Sequence, residues 1–489
     1  MSGGIGGVSI STVRTCRLSG IISNMARIAK VLIHMGRDDP IFIFSHIDAD
    51  GICSAAIIIE LLIEMNKPFV LNFFPQISVE SFREFWQEVE PRYAIFLDLG
   101  TDAPLEYIEK TPSVSLGIVI DHHVFSIRNS YSKSLVINPR FWGLDGGVEI
   151  SSAGMTFLLA NTISNFFANN PISLFCAVVG ALGDAQDIGA KRSLLGLNRS
   201  IVEYGKRHGI LCSYEDYILI GRGFKPLYRL LAEMFIFEIP GVSGSYDGAI
   251  DFLIRIGIMS HDDDPEKIFW EKLTPEQKDV LRRKLLEALV LKYSGKYSIE
   301  ELNNILRGYV YEFLADKEFF CRYARDMSIL LNACGKMRAP EIAIKGLLNP
   351  SDQSAVQRIF QLYERYRAIL SSVFSNLDTK IDLMGEVAIY DGRDEIHEEL
   401  TSTISSILAS SLKDRAKVVI AIARSIEGTL KISLRKTNLL EKSLTDILKK
   451  ISEKMPNIVG GGHESAAGAY IPEESLDLFL SILSKEILS

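Results

Sequence analysis

The sequence has no close pair of cysteines. Its 489 residues contain six scattered cysteines without a CxxC pair: Cys16, Cys53, Cys176, Cys212, Cys321 and Cys334. This spacing argues against a zinc knuckle and against a disulfide framework. We therefore expect all six thiols to be reduced.

The chain also lacks a long apolar run and an excess of positive charge. Its longest apolar stretch, residues 55–65, is interrupted by Glu60 and Glu64 and is shorter than the roughly 20 apolar residues of a membrane span. Residues 1–20 are rich in Gly, Ser and Thr and lack a signal-peptide core. We expect a cytoplasmic protein with no membrane contact. The net charge of −8 provides no general attraction to nucleic acid, so such binding would need a local basic track or a metal ion.

The pattern of apolar residues predicts an α/β fold. Between residues 22 and 235, short apolar runs alternate with segments of helical period such as 52–66 and 153–167. This alternation is typical of a doubly wound domain with a mainly parallel sheet. A cluster of Pro and Gly at 239–245 marks a break.

Helical periodicity dominates after the break. It recurs at 280–291, 299–314, 319–334 and 354–378, and Thr274 is followed by Pro and then Gln at the positions of a helix start. Strand-like runs return at 385–390, 416–423 and 429–434. Length suggests about three domains. We expect a flexible N-terminus (1–20), a catalytic α/β domain (21–240), a helical middle region (241–378) and a smaller C-terminal α/β domain (379–489).

Four apolar runs in the first domain end in acidic or histidine residues. We interpret the runs 41–44, 93–97, 116–120 and 175–182 as strands. The polar residues that follow them are His46, Asp48, Asp50, Asp98, Asp121, His122, His123 and Asp184. Because the carboxyl ends of parallel strands share one edge, these side chains can converge in one crevice. Oxygen and imidazole ligands favour a hard divalent ion such as Mn or Mg.

Asp48 and Asp50 are two residues apart, so in extended chain both carboxylates point to one side, together with His46. The alternative is simple turn chemistry at Asp50 and Gly51. The three other clusters favour a metal site. The adjacent His122 and His123 point in different directions, so one can bind metal while the other contacts substrate or is held by a carboxylate. A purely structural histidine pair is the alternative there.

Several strings resemble motifs of the DHH phosphoesterase superfamily. They are SHIDADG (45–51), LDLG (97–100), IDHH (120–123), ALGD (181–184) and, in the C-terminal domain, GGGH (460–463). Longer strings resemble archaeal RecJ-like single-strand exonucleases, including the GINS-associated nuclease: NPRFWGLDGGVEISSAG (138–154), VVGALGDAQD (178–187) and GRGFKPL (221–227). The resemblance covers residues 35–235 and 380–475, whereas the helical middle is matched mainly by LLNACG (330–335).

The resemblance implies a DHH-type catalytic domain with two Mn or Mg ions and a DHH-associated substrate-binding domain at the C-terminus. The implied metal ligands are His46, Asp48, Asp50, Asp98, His122 and Asp184. His46 departs from the pattern, because other members place a ligand histidine four residues before the first acid rather than two. Asp121 would orient the histidines. Such an ion pair lowers the pKa of water for attack on phosphorus.

The resemblance also implies a phosphate grip in the C-terminal domain. The implied phosphate contacts are His123, Arg435, Gly461, Gly462 and His463. Consecutive glycine amides can donate to a phosphate. A simple glycine turn, and a solvated surface position for Arg435, are the alternatives. The candidates for a basic track are Arg222, Lys225, Lys431, Arg435 and Lys436, although each lysine could be a solvated charge.

The leading hypothesis is a nuclease that degrades single-stranded nucleic acid from an end, most simply 5′→3′ on DNA and also on RNA, in replication or repair. A second is a replisome scaffold that binds GINS and the replicative helicase with little catalysis. A third is a phosphodiesterase for oligoribonucleotides or cyclic dinucleotides, against which the long helical middle argues. Retained metal ligands favour the enzyme.

Overall fold

The computed structural model describes residues 10–36, 39–77, 80–126, 131–163, 170–234, 239–314, 319–374, 380–462 and 464–488. The chain divides into two compact units, Met1–Phe360 and Gln361–Ser489, which are described separately. None of the helices in these ranges is long and apolar enough to cross a membrane.

The first unit is built on a five-stranded parallel sheet in the order β2-β1-β3-β4-β5. Its strands are β1 (Ile41–His46), β2 (Phe69–Phe74), β3 (Tyr93–Leu97), β4 (Leu116–Ile120) and β5 (Ser134–Ile137). Ser45 of β1 lies opposite Leu97 of β3, which in turn lies opposite Ile120 of β4. The carboxyl ends of these three strands are therefore level, which confirms the predicted parallel sheet and its shared edge.

Helices surround this sheet and continue beyond it. They are α1 (Ile10–His34), α2 (Ala49–Glu64), α3 (Glu80–Val89), α4 (Asp102–Lys110), α5 (Ser152–Ile163), α6 (Pro171–Gly183) and α7 (Gly196–Arg207). Helix α1 includes residues 10–20, which we expected to be flexible. From Ile21 onward one apolar face of the helix is buried, because Ile21, Met25, Ile28 and Leu32 recur every three or four residues, so this part of the helix is held by packing.

The strand predicted at 175–182 is wrong, because these residues lie in helix α6. The run is apolar on every side, and Pro171 occupies the first turn of the helix. Helix α6 packs against α2 and α5, and every residue from Ser173 to Leu182 is buried. A continuous apolar run has the same appearance in a buried helix as in a buried strand.

The middle region is mostly helical, as predicted. After α8 (Leu227–Ala232), which precedes this region, it contains α9 (Tyr246–Arg255), α10 (Pro275–Tyr293), α11 (Ile299–Leu306), α12 (Ala324–Lys336) and α13 (Pro340–Leu348). The capping box at Thr274 and Gln277 is present. Helix α14 (Gln353–Phe374) runs across the boundary between the units. The ends of two predicted helices, 164–167 and 375–378, lie outside the described residues.

Residues 307–313 form a strand instead of continuing the predicted helix 299–314. Strand β7 (Arg307–Phe313) pairs antiparallel with β6 (Leu211–Tyr217). Its sequence is rich in aromatic and β-branched residues, which pack well on a pleated surface. Tertiary pairing with a strand about 100 residues away thus outweighs the local helical period.

The second unit contains a six-stranded mixed sheet in the order β12-β13-β11-β10-β9-β8. Its strands are β8 (Ile381–Met384), β9 (Val387–Asp391), β10 (Val418–Arg424), β11 (Leu430–Lys436), β12 (Val459–Gly462) and β13 (Ala466–Ile471). Helices α15 (Thr401–Ser411), α16 (Leu444–Lys454) and α17 (Leu476–Leu488) accompany it. The predicted return to an α/β pattern is confirmed.

Candidate metal centre

Acidic and imidazole side chains of the first unit converge at the carboxyl edge of the sheet. Asp48 caps the N-terminus of α2, where its Oδ1 accepts a hydrogen bond from Gly51 N at 3.0 Å. Asp50 lies in the first turn of the same helix and is fully buried. Asp98 follows β3, and Asp184 caps the C-terminus of α6. The other four residues predicted for this crevice also lie at or beside it: His46, Asp121, His122 and His123.

Three carboxylates surround the ring nitrogen Nε2 of His122. Asp184 Oδ2 lies at 3.0 Å, Asp98 Oδ1 at 3.2 Å and Asp50 Oδ2 at 4.0 Å. One ligand atom from each of these four residues can be chosen so that all lie within 4.8 Å of one another. This arrangement can hold one divalent cation.

A second group lies next to the first and shares Asp98 with it. His46 Nδ1 lies 2.9 Å from Asp48 Oδ2 and 3.5 Å from Asp98 Oδ2. These three residues also have ligand atoms within 4.8 Å of one another. The two oxygens of Asp98 therefore face different groups, Oδ1 towards His122 and Oδ2 towards His46.

The backbone at Asp98 has an uncommon conformation. Its φ is 60°, in the left-handed region that Asp tolerates better than most non-glycine residues. Its amide still donates to Ile120 O at 3.0 Å, so the residue remains attached to the neighbouring strand. The sharp change of direction directly after β3 places the carboxylate between the two groups.

The start of helix α5 holds Asp50 and Asp98. The backbone amides of Ser152 and Ala153 donate to the two oxygens of Asp50 at 2.7 and 3.0 Å, and the hydroxyl of Ser152 donates to Asp98 Oδ1 at 2.9 Å. Helix α6 leaves room for the carboxylate, since a Cβ at Gly180 would lie 2.2 Å from Asp50 Oδ1. Sequence reasoning missed Ser152, although it lies within the string at 138–154.

The two histidines have separate supports. His122 Nδ1 lies 2.7 Å from Gly146 O, which leaves Nε2 directed at the carboxylates. His123 Nδ1 lies 2.8 Å from Asp121 Oδ1, and Asp121 Oδ2 accepts from the Thr101 hydroxyl at 2.7 Å. Asp121 thus contacts one of the two histidines that it was predicted to orient, His123, whereas His122 is held by Gly146. The side chain of His123 is 40% exposed, whereas that of His122 is 8% exposed.

Helix α12 closes the site from the middle region. Asn332 Oδ1 accepts from Ala49 N at 2.8 Å, and a Cβ at Gly335 would lie 1.7 Å from Ile47 O. Both contacts are to the segment that carries Asp48 and Asp50. The only sequence signal for them was the string at 330–335, to which no role was assigned.

The carboxylates and histidines of the crevice alter one another's pKa values. Burial, together with the nearby Asp184 and Asp98, raises the pKa of Asp50 well above its ordinary value. Burial also raises the pKa of Asp184, to about 6. For His122, burial alone would lower the pKa, but Asp184 and Asp98 raise it well above normal. These are the pKa shifts that crowded, buried carboxylates produce in one another and in a neighbouring histidine.

The residues fit a pair of divalent cations. Asp98 Oδ2, His46 Nδ1 and His122 Nε2 are buried and have no hydrogen-bond partner of acceptable geometry within the described ranges. Buried polar atoms normally have partners, and unsatisfied ones suggest a missing ion. Carboxylate and imidazole donors without thiolate are suited to Mn or Mg.

The predicted phosphate contacts of the C-terminal domain belong to the second unit. Gly461 lies on the exposed strand β12 opposite Gly468 of β13, and Gly462 lies opposite Ala467. Arg435 is on β11, where its Nε donates to the hydroxyl of Ser406 at 2.8 Å. His463 lies outside the described residues.

The prediction that Arg222 and Lys225 belong to a basic track is wrong, because both side chains are buried. Arg222 and Lys225 are 4% and 3% exposed. Arg222 Nη2 pairs with Asp216 Oδ2 at 2.8 Å, and Lys225 pairs with Glu233. Their charges serve buried ion pairs and are not available to a phosphate. In the second unit Lys436 pairs with Glu464 at 2.6 Å, and Lys431 lies 4.0 Å from the ring centre of Tyr470.

Three domain families match the chain. The DHH family N-terminal domain matches residues 40–183, the DHH-CID domain residues 219–303 and the DHHA1 domain residues 386–489. The parallel sheet and its acidic crevice define an α/β phosphoesterase fold with a candidate metal site. The chain belongs to the DHH superfamily.

Individual relatives extend over most of the chain. An uncharacterized protein of Methanocaldococcus jannaschii is 27% identical over 457 residues, which are 92% of this chain and 93% of the relative. The fold is similar to exonuclease RecJ bound to manganese, with a TM-score of 0.56, 17% identity and coverage of 95% of this chain and 94% of that one. The fold is also similar to CDC45 from Entamoeba histolytica, with a TM-score of 0.64, 14% identity and coverage of 96% of this chain and 99% of that one.

Proposed function

We propose that this protein is a metal-dependent phosphodiesterase that removes nucleotides from an end of single-stranded nucleic acid. The observation that carries the proposal is the pair of ligand groups that share Asp98. His46 and Asp48 complete one group, and Asp50, His122 and Asp184 complete the other. Two divalent ions held there would activate water for attack on phosphorus and stabilise the charge of the leaving oxygen.

The protein's own residues have distinct tasks in this reaction. Asp98 supplies an oxygen to each group, and Ser152 fixes its orientation. His123, whose Nδ1 is engaged by Asp121, presents a partly exposed ring that can donate to a substrate phosphate. We assign further phosphate contacts to Arg435, Gly461, Gly462 and His463 of the DHHA1 domain. In that assignment the amides of the exposed edge strand β12 that are not bonded to β13 act as donors.

We further propose 5′→3′ degradation of single-stranded DNA, with activity on RNA, in DNA replication or repair. The motif strings similar to archaeal RecJ-like exonucleases support this choice. They also support binding to GINS. The similar RecJ structure is that of an exonuclease, which is the reaction class proposed here. At 17% identity the likeness concerns the fold.

One assay tests the reaction. Single-stranded DNA and RNA, each labelled at either the 5′ or the 3′ end, are incubated with Mn or Mg, and wild type is compared with Asp98→Ala. We expect product from the wild type with at least one substrate, loss of at least 1,000-fold in Asp98→Ala, and no product in EDTA. Equal metal-dependent turnover by Asp98→Ala would contradict the two-ion assignment.

A replisome scaffold is the second candidate. The observation that favours it is the fold similarity to CDC45, whose TM-score of 0.64 exceeds that for RecJ. Purified GINS subunits, used as bait against the full chain, test this role. Binding to GINS without cleavage of any of the four labelled substrates would make the scaffold the better description.

A further inference from the structure

We propose that Phe141, supported by Phe125, is a stacking platform for a nucleobase of the substrate strand beside the metal centre. The inference rests on the proposed function and adds a base contact to it. Neither residue is part of the crevice described above. The platform is defined by the rings of Phe125 and Phe141.

Phe141 is unusual among the phenylalanines of the first unit. It is 41% exposed, whereas Phe44, Phe82 and Phe96 of the adjacent core are fully buried. Its ring centre lies 4.8 Å from that of Phe125, and the ring planes meet at 60°. Val124, which precedes Phe125 in the chain, is also exposed, at 63%. An exposed aromatic ring that is fixed by a second ring offers a flat face on which a base can stack.

Phe141 is held on a short, well-anchored turn. The turn Pro139–Trp142 starts at Asn138, whose Oδ1 accepts from Arg140 N at 3.1 Å, and ends at Gly143 with a left-handed φ of 66°. Trp142 packs against helix α1, since a Cβ at Gly20 would lie 3.0 Å from its Nε1. A ring held in this way loses little conformational entropy when a base stacks on it.

The same segments support the histidines. Asn138 Nδ2 donates to His123 O at 3.0 Å and to the Thr101 hydroxyl at 3.0 Å, the hydroxyl that itself donates to Asp121. Phe125 is two residues after His123, so their Cα atoms are at most about 7 Å apart. A phosphodiester at the metal centre would therefore bring a base of the same strand close to the platform.

The chemistry favours a nucleobase of a single strand as the occupant. Every base has a π-face that stacks on an aromatic ring without regard to sequence, and in a duplex that face is covered by its neighbours. The crevice beside the platform carries carboxylates that would bind phosphate through cations. A continuous strand satisfies both features, because phosphates and bases alternate along it.

The test compares substrates with and without bases. Single-stranded DNA is prepared as normal oligonucleotide and with abasic sites at the four nucleotides nearest the attacked end. KM and kcat with Mn are measured for wild type, Phe141→Ala, Phe141→Leu and Phe141→Tyr. Tyr246→Ala is the matched control, because Tyr246 is 50% exposed on α9 and belongs to neither the platform nor the crevice.

We expect Phe141→Ala to raise KM for normal DNA by about 5- to 100-fold, with kcat changed much less. Phe141→Tyr should retain most of the affinity, and Phe141→Leu should lie between the two. On abasic DNA, wild type and Phe141→Ala should differ by less than about 2-fold. Tyr246→Ala should behave as wild type. Dissociation constants for normal DNA, measured for the Phe141 variants in the Asp98→Ala background, should rank the variants in the same order.

Several outcomes would overturn the platform. One is a KM for normal DNA that is unchanged in Phe141→Ala. Another is an equal rise of KM on normal and abasic DNA in Phe141→Ala, because a rise that does not depend on bases indicates a structural effect. If Phe141→Ala does not fold, Phe141→Leu with KM equal to that of the wild type contradicts the inference. Failure of the proposed function has a different signature, since the wild type would then neither bind nor cleave single strands, and the platform would fail with it.

Discussion

The side chain of Asn332 accepts a hydrogen bond at 2.8 Å from the backbone N–H of Ala49, 283 residues earlier in the chain. Ala49 is buried between Asp48 and Asp50. A helix of the middle region therefore sets the backbone that carries two predicted metal ligands. The candidate metal centre is built by the parallel sheet of the first unit and by helix α12 together.

Asn332→Ala should weaken the metal centre without unfolding the protein. The change leaves the N–H of Ala49 unpaired, which costs about 1–3 kcal/mol. Loss of an outer support typically weakens metal affinity about 10- to 100-fold. Calorimetric titration with Mn measures the affinity, and Lys345→Ala, at an exposed position on helix α13, is the control. Wild-type Mn affinity in Asn332→Ala would show that this bond does not position the site.

Gly180→Ala should displace Asp50. An added Cβ would lie 2.2 Å from Asp50 Oδ1, closer than any real contact, so the carboxylate or helix α6 must move. We expect at least 10-fold weaker Mn binding and destabilisation of about 1–3 kcal/mol. Gly147→Ala is the matched control, because the nearest atom to its Cβ would be 3.5 Å away. Equal effects of the two variants would refute this explanation.

Glu109 should contribute stability that depends on pH. Although partial burial opposes ionisation, hydrogen bonds from Ser134, Ser132 and Lys133 lower its pKa from 4.5 to about 2. The folded state thus favours the ionised form. The contribution of Glu109 to the free energy of unfolding is complete above about pH 5 and is lost as the pH falls from 4.5 towards 2.

Glu109→Gln should therefore lower the free energy of unfolding by about 1 kcal/mol at pH 7, a modest loss because the side chain is partly exposed to solvent. The difference from wild type should shrink below pH 4.5. Urea unfolding between pH 7 and pH 2.5 measures it. Glu106→Gln, an exposed position on the same helix, is the control. A difference that grows as the pH falls would have the wrong sign.

Arg222 should stabilise the fold and have no part in nucleic-acid binding. Its guanidinium lies 5.0 Å from the ring centre of Trp270 and 4.9 Å from that of Tyr323, and it pairs with the buried Asp216. Arg222→Ala removes one partner of Asp216, which keeps Arg282 at 2.6 Å, so we expect a loss of about 1.5–3 kcal/mol, typical of a hydrogen bond to a charged group.

The measurements for Arg222 are urea unfolding and the salt dependence of DNA binding. The exposed Arg283→Ala is the control for stability. We expect the slope of affinity against salt to be the same in wild type and in Arg222→Ala at a temperature where both are folded. Wild-type stability of Arg222→Ala together with a shallower salt dependence of its DNA binding would show that Arg222 does belong to the basic track.

The strand-end acids show how far the sequence could predict the site. Asp48, Asp98 and His122 follow apolar runs that form parallel strands, and the carboxyl ends of such strands necessarily share an edge. Their convergence therefore followed from local pattern and sheet geometry. Asp184 converges with them for a different reason, because it ends helix α6. Periodicity could not separate that buried helix from a strand.

The sequence by itself determined the ligand types, the parallel sheet and the α/β character of both units, because these depend on residue chemistry and on periodicity along the chain. The tertiary structure alone decided that Arg222 is buried, that Phe141 is exposed and that Asn332 reaches Ala49. Burial and long-range contacts depend on which elements pack together. For a single arginine, phenylalanine or asparagine, the local pattern is compatible with either environment.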